Sequence, residues 1–196
     1  MNQKMNQTNQ QRATKLILIL GFNGTGKTTL LKKLVLNELK KPDSHILIVT
    51  PDDLEWYNIP DVWEKRPERV SRYVGARKLI YYDGCLKTIQ ENFRSGLLIF
   101  DDCRAYLTAN TEMDLHNLFI RRRQKGIDII AVGHGFTEVP PKFFTFASDL
   151  ILFRTMDNIE RRRQVIRNYD EVEAAQLRIN EKALSNPYEN EIIKMV

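Results

Sequence analysis

A glycine-rich stretch close to the beginning of the chain constrains the fold more than any other sequence feature. Residues 21–28 read GFNGTGKT and follow the apolar run LILIL at 16–20, and leucines recur at helical spacing in residues 27–41. A strand, a loop of the form Gly-x-x-x-x-Gly-Lys-Thr and a helix, in this order, predict a phosphate-binding loop. Glycine lets the backbone turn its N–H groups toward phosphates, and the helix N-terminus adds the positive end of its dipole.

The residues of this loop have separate chemical roles. We expect the side chain of Lys27 to reach the β- and γ-phosphates of ATP, and the hydroxyl of Thr28 to bind Mg²⁺. ATP and Mg²⁺ are therefore the predicted cofactors. The residues expected to bind the nucleotide are Gly21, Asn23, Gly24, Thr25, Gly26, Lys27, Thr28 and Thr29.

Further apolar runs of similar length follow along the chain. Together with the first they predict strands over 15–20, 45–50, 78–82, 97–102, 127–134 and 149–155. The segments between them are longer and polar or amphipathic. Apolar strands that alternate with helices indicate an α/β fold, in which a parallel sheet is flanked by helices on both faces.

Two amphipathic segments predict the best-defined helices, at 27–41 and 111–125. The apolar residues expected to face the core are Leu30, Leu31, Leu34, Val35, Leu39, Met113, Leu115, Leu118, Phe119 and Ile120. Helical patterns also occur at 158–170 and 171–184. Prolines interrupt 50–74, which is expected to be a loop with a short helix.

Length and composition fit a single domain. A chain of 196 residues can bury one substantial core. We place a P-loop domain at 15–185, between an Asn/Gln-rich arm at 1–14 that carries too few apolar side chains to be ordered, and a C-terminal tail at 186–196. Lys and Arg outnumber Asp and Glu by 30 to 25, and the resulting net charge of +5 mildly favours a polyanionic partner.

Cysteine usage and hydropathy bear on cellular location. Cys85 and Cys103 occur in a sequence without a signal-peptide pattern, which favours free thiols in a reducing cytoplasm. None of the apolar runs reaches the roughly 18 to 20 residues that a membrane-spanning helix needs. We therefore expect no direct membrane insertion.

A second motif supplies the carboxylates that a nucleotide site requires. The run LLIFDD at 97–102 predicts a buried strand that ends in Asp101 and Asp102. Ligands bind beyond the carboxyl ends of strands in open α/β sheets, so Asp101 is the expected partner of Mg²⁺. Asp102 is the candidate for polarising an attacking water. A strand followed by a capped turn is the alternative interpretation.

Three classes of nucleotide-dependent protein are compatible with these motifs: a motor ATPase, a nucleotide or small-molecule kinase, and a GTP switch. A GTP switch needs an Asn-Lys-x-Asp segment, which the sequence lacks. The arginine runs 121–123 and 161–163 could form the lid of a kinase. The doubled aspartate argues against a kinase, because a kinase must exclude water rather than activate it.

The order of motifs in 119–155 distinguishes among these classes. Here a basic helix end, Arg123-Gln124-Lys125-Gly126, leads into an apolar strand that ends at His134, and a later strand ends in Phe153-Arg154. With the upstream loop, this order resembles the FtsK–HerA superfamily of DNA-pumping ATPases over about 15–154. The likeness is to small viral genome-packaging ATPases and to the zonula-occludens-toxin-like proteins of filamentous phages. Asp102 stands where that family usually has Glu, and His134 where it usually has Gln.

The resemblance implies a fold and a set of catalytic residues. The fold would be RecA-like, of the ASCE type, with the strand before His134 inserted between the phosphate-loop strand and the Asp101 strand. The implied catalytic residues are Lys27, Asp102, His134 as a γ-phosphate sensor, and Arg123. Arg123 is the first candidate for an arginine that acts on the neighbouring subunit's ATP, followed by Arg122 and Arg121. The alternative for the arginines is that they form a solvated basic helix end. The alternative for His134 is that it is a hydrogen-bonded polar residue at a strand end.

The resemblance also implies partners. Members of the superfamily form rings, usually hexamers, so we expect a homo-oligomer that grips DNA without regard to sequence. Candidate DNA contacts lie in 51–77, where Trp56, Tyr57 and Trp63 are expected to be core or interface residues more than base-stacking groups. Packaging of a viral genome, with a capsid or portal-vertex partner, in the host cytoplasm or associated with the virion, is the expected function. A phage DNA export motor and a kinase remain alternatives.

Overall fold

The computed structural model describes residues 13–62, 67–71, 73–105 and 111–195. Within them the strands are β1 (Leu16–Leu20), β2 (His45–Thr50), β3 (Gly75–Ile80), β4 (Gly96–Phe100), β5 (Ile127–Gly133), β6 (Asp149–Phe153) and β7 (Asn190–Lys194). The helices are α1 (Lys27–Glu38), α2 (Cys85–Asn92), α3 (Glu112–Lys125), α4 (Pro141–Phe146) and α5 (Tyr169–Lys182). Short 3-10 helices cover Pro67–Ser71, Cys103–Ala105 and Ile159–Arg162.

The strands form one sheet in the order β3-β2-β4-β5-β1-β6-β7. Neighbouring strands from β3 to β6 run parallel, and β7 pairs antiparallel with β6. The predicted α/β fold is confirmed, and β5 lies between β1 and β4 as the resemblance implies. Because β4, β5 and β1 are parallel neighbours, their carboxyl ends meet at one edge of the sheet.

Both faces of the sheet are covered because its strands are apolar on both sides. Leu18 of β1 points into a cluster that includes Leu118 of α3 and Ile179 of α5. The next residue, Ile19, faces the opposite cluster, where Leu31 of α1 packs. Strands buried on both faces read as continuous apolar runs, which is the pattern that predicted them.

The helices differ in detail from the sequence prediction. In α3, Leu115, Leu118 and Phe119 are buried, but Met113 and Ile120 are exposed. A single helix contacts the sheet through one stripe, so apolar residues outside that stripe remain in solvent. The predicted helix at 158–170 is only a short 3-10 helix, Ile159–Arg162, and α2 was not predicted.

The expected loose C-terminal tail is wrong, because Asn190–Lys194 forms strand β7. Ile193 and Met195 are buried against the sheet. The hydrogen bonds to β6 and this burial order a segment that looks polar in sequence. The predicted arm lies almost entirely outside the described residues, apart from Ala13 and a buried Thr14. No helix in the described part of the chain is long and apolar enough to span a bilayer.

Candidate active site

The phosphate-binding loop begins directly after β1 and is tied to the strands on either side. The Gly21 N–H donates to the Gly133 carbonyl at 3.3 Å, and the Phe22 N–H donates to the Arg154 carbonyl at 2.9 Å. Gly26 precedes α1 with φ of 95°, in the left-handed region that favours glycine. A Cβ on Gly21 would lie 2.5 Å from the Cβ of Phe153, so only glycine fits there.

Lys27 is buried at the first turn of α1. Its Nζ donates to the Gly21 carbonyl at 2.6 Å and to the Phe22 carbonyl at 2.7 Å. Burial lowers the pKa of this ammonium to about 8, and the nearby carboxylates of Asp102 and Asp101 act in the opposite direction. The two carbonyls hold the ammonium where a nucleotide would present anionic phosphate oxygens, which are stronger acceptors.

Asp101 follows β4 and is buried at the sheet edge. The indole Nε1–H of Trp56 donates to its Oδ2 at 2.7 Å. Burial raises the pKa of Asp101, and the bond from Trp56 offsets part of that effect. Trp56 is buried, in agreement with the expectation that it is a core residue, but its bond to Asp101 was not predicted.

A charged residue in β3 holds the segment that carries Trp56. Lys78 is buried, and its ammonium contacts the carboxylate of Asp53 and the main-chain carbonyl of Trp56, the latter at 3.2 Å. Asp61 lies 3.7 Å from the same ammonium. A lysine inside an apolar strand is the sequence signal that could have indicated this anchor, because a buried charge needs partners.

Asp102 and His134 come from separate strands and meet beside Lys27. The Nε2 of His134 lies 3.4 Å from Oδ1 of Asp102, and its Nδ1 lies 3.5 Å from Nζ of Lys27. An ammonium only donates hydrogen bonds, so Nδ1 is the acceptor in the contact with Lys27. Oδ1 of Asp102 is buried and accepts no hydrogen bond within the described part of the chain. Asp102 has φ of 49°, a left-handed conformation that is uncommon outside glycine and typical of functional sites.

These residues line one cleft of about 690 Å³ at the carboxyl edge of the sheet. The predicted site residues in its wall are Asn23, Gly24, Gly26, Lys27, Thr28, Thr29, Asp101, Asp102 and His134. Gly21 and Thr25 are buried beneath the loop, where the Thr25 hydroxyl donates to the Phe22 carbonyl at 2.8 Å. Unpredicted wall residues are Thr50, Pro51, Asp52, Glu55, Arg104, Val132 and Tyr188.

The residues predicted to bind Mg²⁺ have suitable chemistry and location. Thr28 and Asp101 lie in the wall of the same cleft, one from α1 and one from the end of β4. Their oxygen atoms are the ligand type that Mg²⁺ prefers, and so few protein ligands leave room for water and phosphate oxygens. Asp101 is also the buried carboxylate whose charge a cation would stabilise.

Arg123 is not in this cleft. It is exposed near the C-terminal end of α3, beside the start of β4, where the Ser95 N–H donates to the Lys125 carbonyl at 2.8 Å. There it lines a separate groove of about 650 Å³ at the opposite edge of the sheet. Arg122 is only 6% exposed and donates to the Phe119 carbonyl, which argues against its reaching another subunit.

The second arginine run is largely committed to contacts within the chain. Arg162 donates from Nε to the Phe136 carbonyl and from Nη2 to the carbonyls of Thr137 and Val139, at 2.9, 2.9 and 3.2 Å. Arg163 pairs with Glu160 and lies over the ring of Tyr169. Arg162 is thus held by contacts within the chain, whereas Arg161 and Arg163 are exposed to solvent.

The region expected to contact DNA has a mixed character. Tyr57 and Leu54 are exposed, whereas Trp56 is buried in the same apolar cluster as Leu31 of α1. Trp63 lies outside the described residues. The candidate DNA contacts in 51–77 therefore stay a prediction.

Comparison with solved structures finds similar folds in viral genome-packaging NTPases. The genome packaging NTPase of Sulfolobus turreted icosahedral virus 2, in complex with AMPPCP, is 16% identical with a TM-score of 0.71, and 93% of each chain is covered. The DNA-packaging ATPase of Sulfolobus turreted icosahedral virus is 17% identical with a TM-score of 0.60, over 93% of this chain and 98% of that one.

A third similar structure is the conjugation coupling protein TcpA of pCW3. It is 12% identical with a TM-score of 0.53, over 78% of this chain and 51% of that one. No protein-family model and no curated protein sequence matches the chain. At these identities the similarity establishes the fold alone, and the likeness expected from the motif order is confirmed at that level: the chain shares its fold with these packaging NTPases and with TcpA.

Proposed function

We propose that this protein is an ATP-driven motor that translocates DNA, most plainly for packaging a viral genome. The observation that carries the proposal is the convergence of Lys27, Asp101, Asp102 and His134 on one cleft at the end of three neighbouring parallel strands. Two similar structures are described as packaging enzymes, and the chain matches them over nearly its whole described length. A capsid or portal-vertex protein is the proposed partner, in the host cytoplasm or the virion.

The proposed binding step is an exchange of hydrogen-bond acceptors. The β- and γ-phosphates replace the carbonyls of Gly21 and Phe22 as partners of the Lys27 ammonium. Backbone N–H groups at the start of α1 hold the phosphate oxygens. Thr28 and Asp101 would hold Mg²⁺, whose charge would offset that of the phosphate oxygens.

The proposed chemical step is hydrolysis of the γ-phosphate. A water oxygen forms a bond to the γ-phosphorus while the bond from that phosphorus to the β–γ bridging oxygen breaks. Asp102 accepts a proton from the water, and ADP leaves with the bridging oxygen. His134, already between Lys27 and Asp102, donates a hydrogen bond to a γ-phosphate oxygen when it turns from Asp102.

Assembly and DNA binding complete the proposal. Among the described residues of the cleft wall, Arg104 is the only arginine. Arg123 lies at the opposite edge of the sheet. A ring in which one subunit's Arg123 edge meets the next subunit's cleft would supply a charge to the γ-phosphate in trans. The net charge of +5 favours binding to a polyanion such as DNA.

The ATPase rate with and without duplex and single-stranded DNA, measured together with the assembled mass, tests this proposal. We expect a slow rate in isolated subunits and a rise on assembly or DNA binding. Lys27→Ala should weaken ATP binding, whereas Asp102→Asn should keep binding and stop turnover. A monomer that transfers phosphate to a nucleoside monophosphate and ignores DNA would be a kinase and would overturn the proposal.

A further inference from the structure

An exposed tyrosine from the C-terminal segment lies against the phosphate-binding loop. The ring carbon Cδ1 of Tyr188 is 3.2 Å from the point where a Cβ on Gly26 would stand. Tyr188 lines the same cleft as Lys27 and Thr28, yet the residue is 62% exposed. An aromatic ring left in water beside a ligand cleft offers a flat apolar surface to whatever enters that cleft.

Hydrogen bonds within a turn hold the main chain at Tyr188. The Tyr188 N–H donates to Oδ1 of Asn186 at 3.2 Å, and Nδ2 of Asn190 donates to the Tyr188 carbonyl at 3.2 Å. The Glu189 N–H donates to the Asn186 carbonyl at 3.0 Å. The turn joins α5 to β7, which is paired along its length with β6. The main chain that carries the ring is therefore anchored to the sheet through β7.

The described part of the cleft wall supplies one aromatic ring besides the imidazole of His134. Among the described wall residues, Tyr188 is the only Tyr, Phe or Trp. The wall also carries the carboxylates of Asp52, Glu55, Asp101 and Asp102, and its apolar residues are Pro51 and Val132. A purine has two apolar faces, and stacking on an aromatic ring is the contact that buries one of them.

We propose that Tyr188 is the platform on which the base of the bound nucleotide stacks. The proposal rests on the proposed function, because it requires that the cleft binds a nucleotide. With the triphosphate on the loop and on Lys27, the base comes to lie beside the Gly26 end of the loop, over the Tyr188 ring. Stacking uses the face of the base and not its edge, so this contact supports adenine and guanine alike.

Calorimetry with two ligands separates the base contact from the phosphate contact. The ligands are ATPγS and inorganic tripolyphosphate, each with Mg²⁺, and the variants are Tyr188→Ala and Tyr188→Phe. The control is Ile192→Ala, since Ile192 is 63% exposed on the adjoining strand β7 and does not line the cleft. Thermal unfolding of each variant verifies that β7 stays in place.

The expected pattern is selective. Tyr188→Ala weakens ATPγS binding by roughly 10- to 100-fold, the usual range for loss of a base–aromatic stack, and leaves tripolyphosphate binding unchanged. Tyr188→Phe stays within about 2-fold of the parent protein because it keeps the ring, and Ile192→Ala has no effect on either ligand.

Two results would overturn the inference while leaving the proposed function intact. One is unchanged ATPγS binding by Tyr188→Ala. The other is equal weakening of ATPγS and tripolyphosphate, which would make the ring a support for the loop at Gly26. Failure of the parent protein to bind ATPγS would instead remove the proposed function together with the inference.

Discussion

At the scale of single residues, the cleft is organised by burial of charge. Lys27 and Asp101 are both buried. Burial disfavours the charged form of each, so it lowers the pKa of Lys27 and raises the pKa of Asp101. Each retains polar partners from the chain itself: Lys27 has two loop carbonyls and Asp101 has the Trp56 indole. In the proposed function, a phosphate and a divalent cation would bring stronger partners to the same two groups.

The lowered pKa of Lys27 predicts a pH dependence of nucleotide binding. Below a pH of about 8, the Lys27 ammonium is charged both in the free protein and in the complex. Nucleotide binding then leaves the protonation state of Lys27 unchanged. Above that pH the free protein loses the proton, and the phosphates restore it because they favour the charged form. ATPγS affinity should therefore fall as the pH rises above about 8, with uptake of up to one proton per site.

Titration calorimetry at pH 8.5 to 9 measures this uptake when it is repeated in buffers of different ionisation enthalpy. The same experiment at pH 7 is the control and should give no uptake by this group. An affinity that does not change across the range, with no proton uptake at high pH, would contradict the lowered pKa.

At the scale of elements, the connection between β5 and α4 depends on a distant arginine. This connection follows His134, and Arg162 from the short 3-10 helix donates to three of its carbonyls. Buried carbonyls without a donor are costly, so the guanidinium replaces the hydrogen bonds that regular structure would have provided. The placement of His134 is thereby linked to a segment that follows β6.

Arg162→Ala should lower the free energy of unfolding by about 1–3 kcal/mol, because it removes charge-assisted hydrogen bonds to partly buried carbonyls. Arg161→Ala is the matched control, since Arg161 is its exposed neighbour, and it should change stability by less than about 0.5 kcal/mol. Chemical denaturation of both variants measures the difference. Equal stabilities would mean that water replaces the guanidinium at no cost.

At the scale of the whole molecule, the two edges of the sheet have different roles in the proposed ring. The carboxyl edge holds the cleft with Lys27, and the opposite edge exposes Arg123. No subunit can bring both edges together by itself, because they are separated by the length of the strands. A complete site therefore requires a neighbour in the proposed assembly.

Mixing experiments test this arrangement. Arg123→Ala and Lys27→Ala should each reduce ATPase activity strongly in homogeneous assemblies, and a mixture of the two should recover part of it. In a mixed ring, an Arg123→Ala subunit still has an intact cleft. When its neighbour is a Lys27→Ala subunit, that neighbour supplies an intact Arg123 to the cleft. Arg121→Ala is the comparison at the same helix end. If the mixture stays inactive, or if Arg121 is the sensitive residue, Arg123 is not the trans-acting arginine.

Much of the fold and the core of the candidate site could be predicted because their signals are local. The spacing of Gly21, Gly26 and Lys27 and the apolar runs that became β1 to β6 are patterns within short windows. Asp101 and His134 directly follow such runs, and parallel strands bring their carboxyl ends to one edge. The predictions of which α3 residues are buried and of how long the helix after Asn158 is were less accurate. Packing against neighbouring segments decides both properties.

The sequence by itself determined the phosphate-binding loop, the α/β class and the residues that meet at its edge. Only the tertiary structure decided the bond of Trp56 to Asp101, the pairing of β7 with β6, and the place of Tyr188 beside Gly26. Each of these contacts joins segments far apart in the chain. Such contacts depend on how the sheet and its connections pack as a whole, and no periodicity within one segment encodes them.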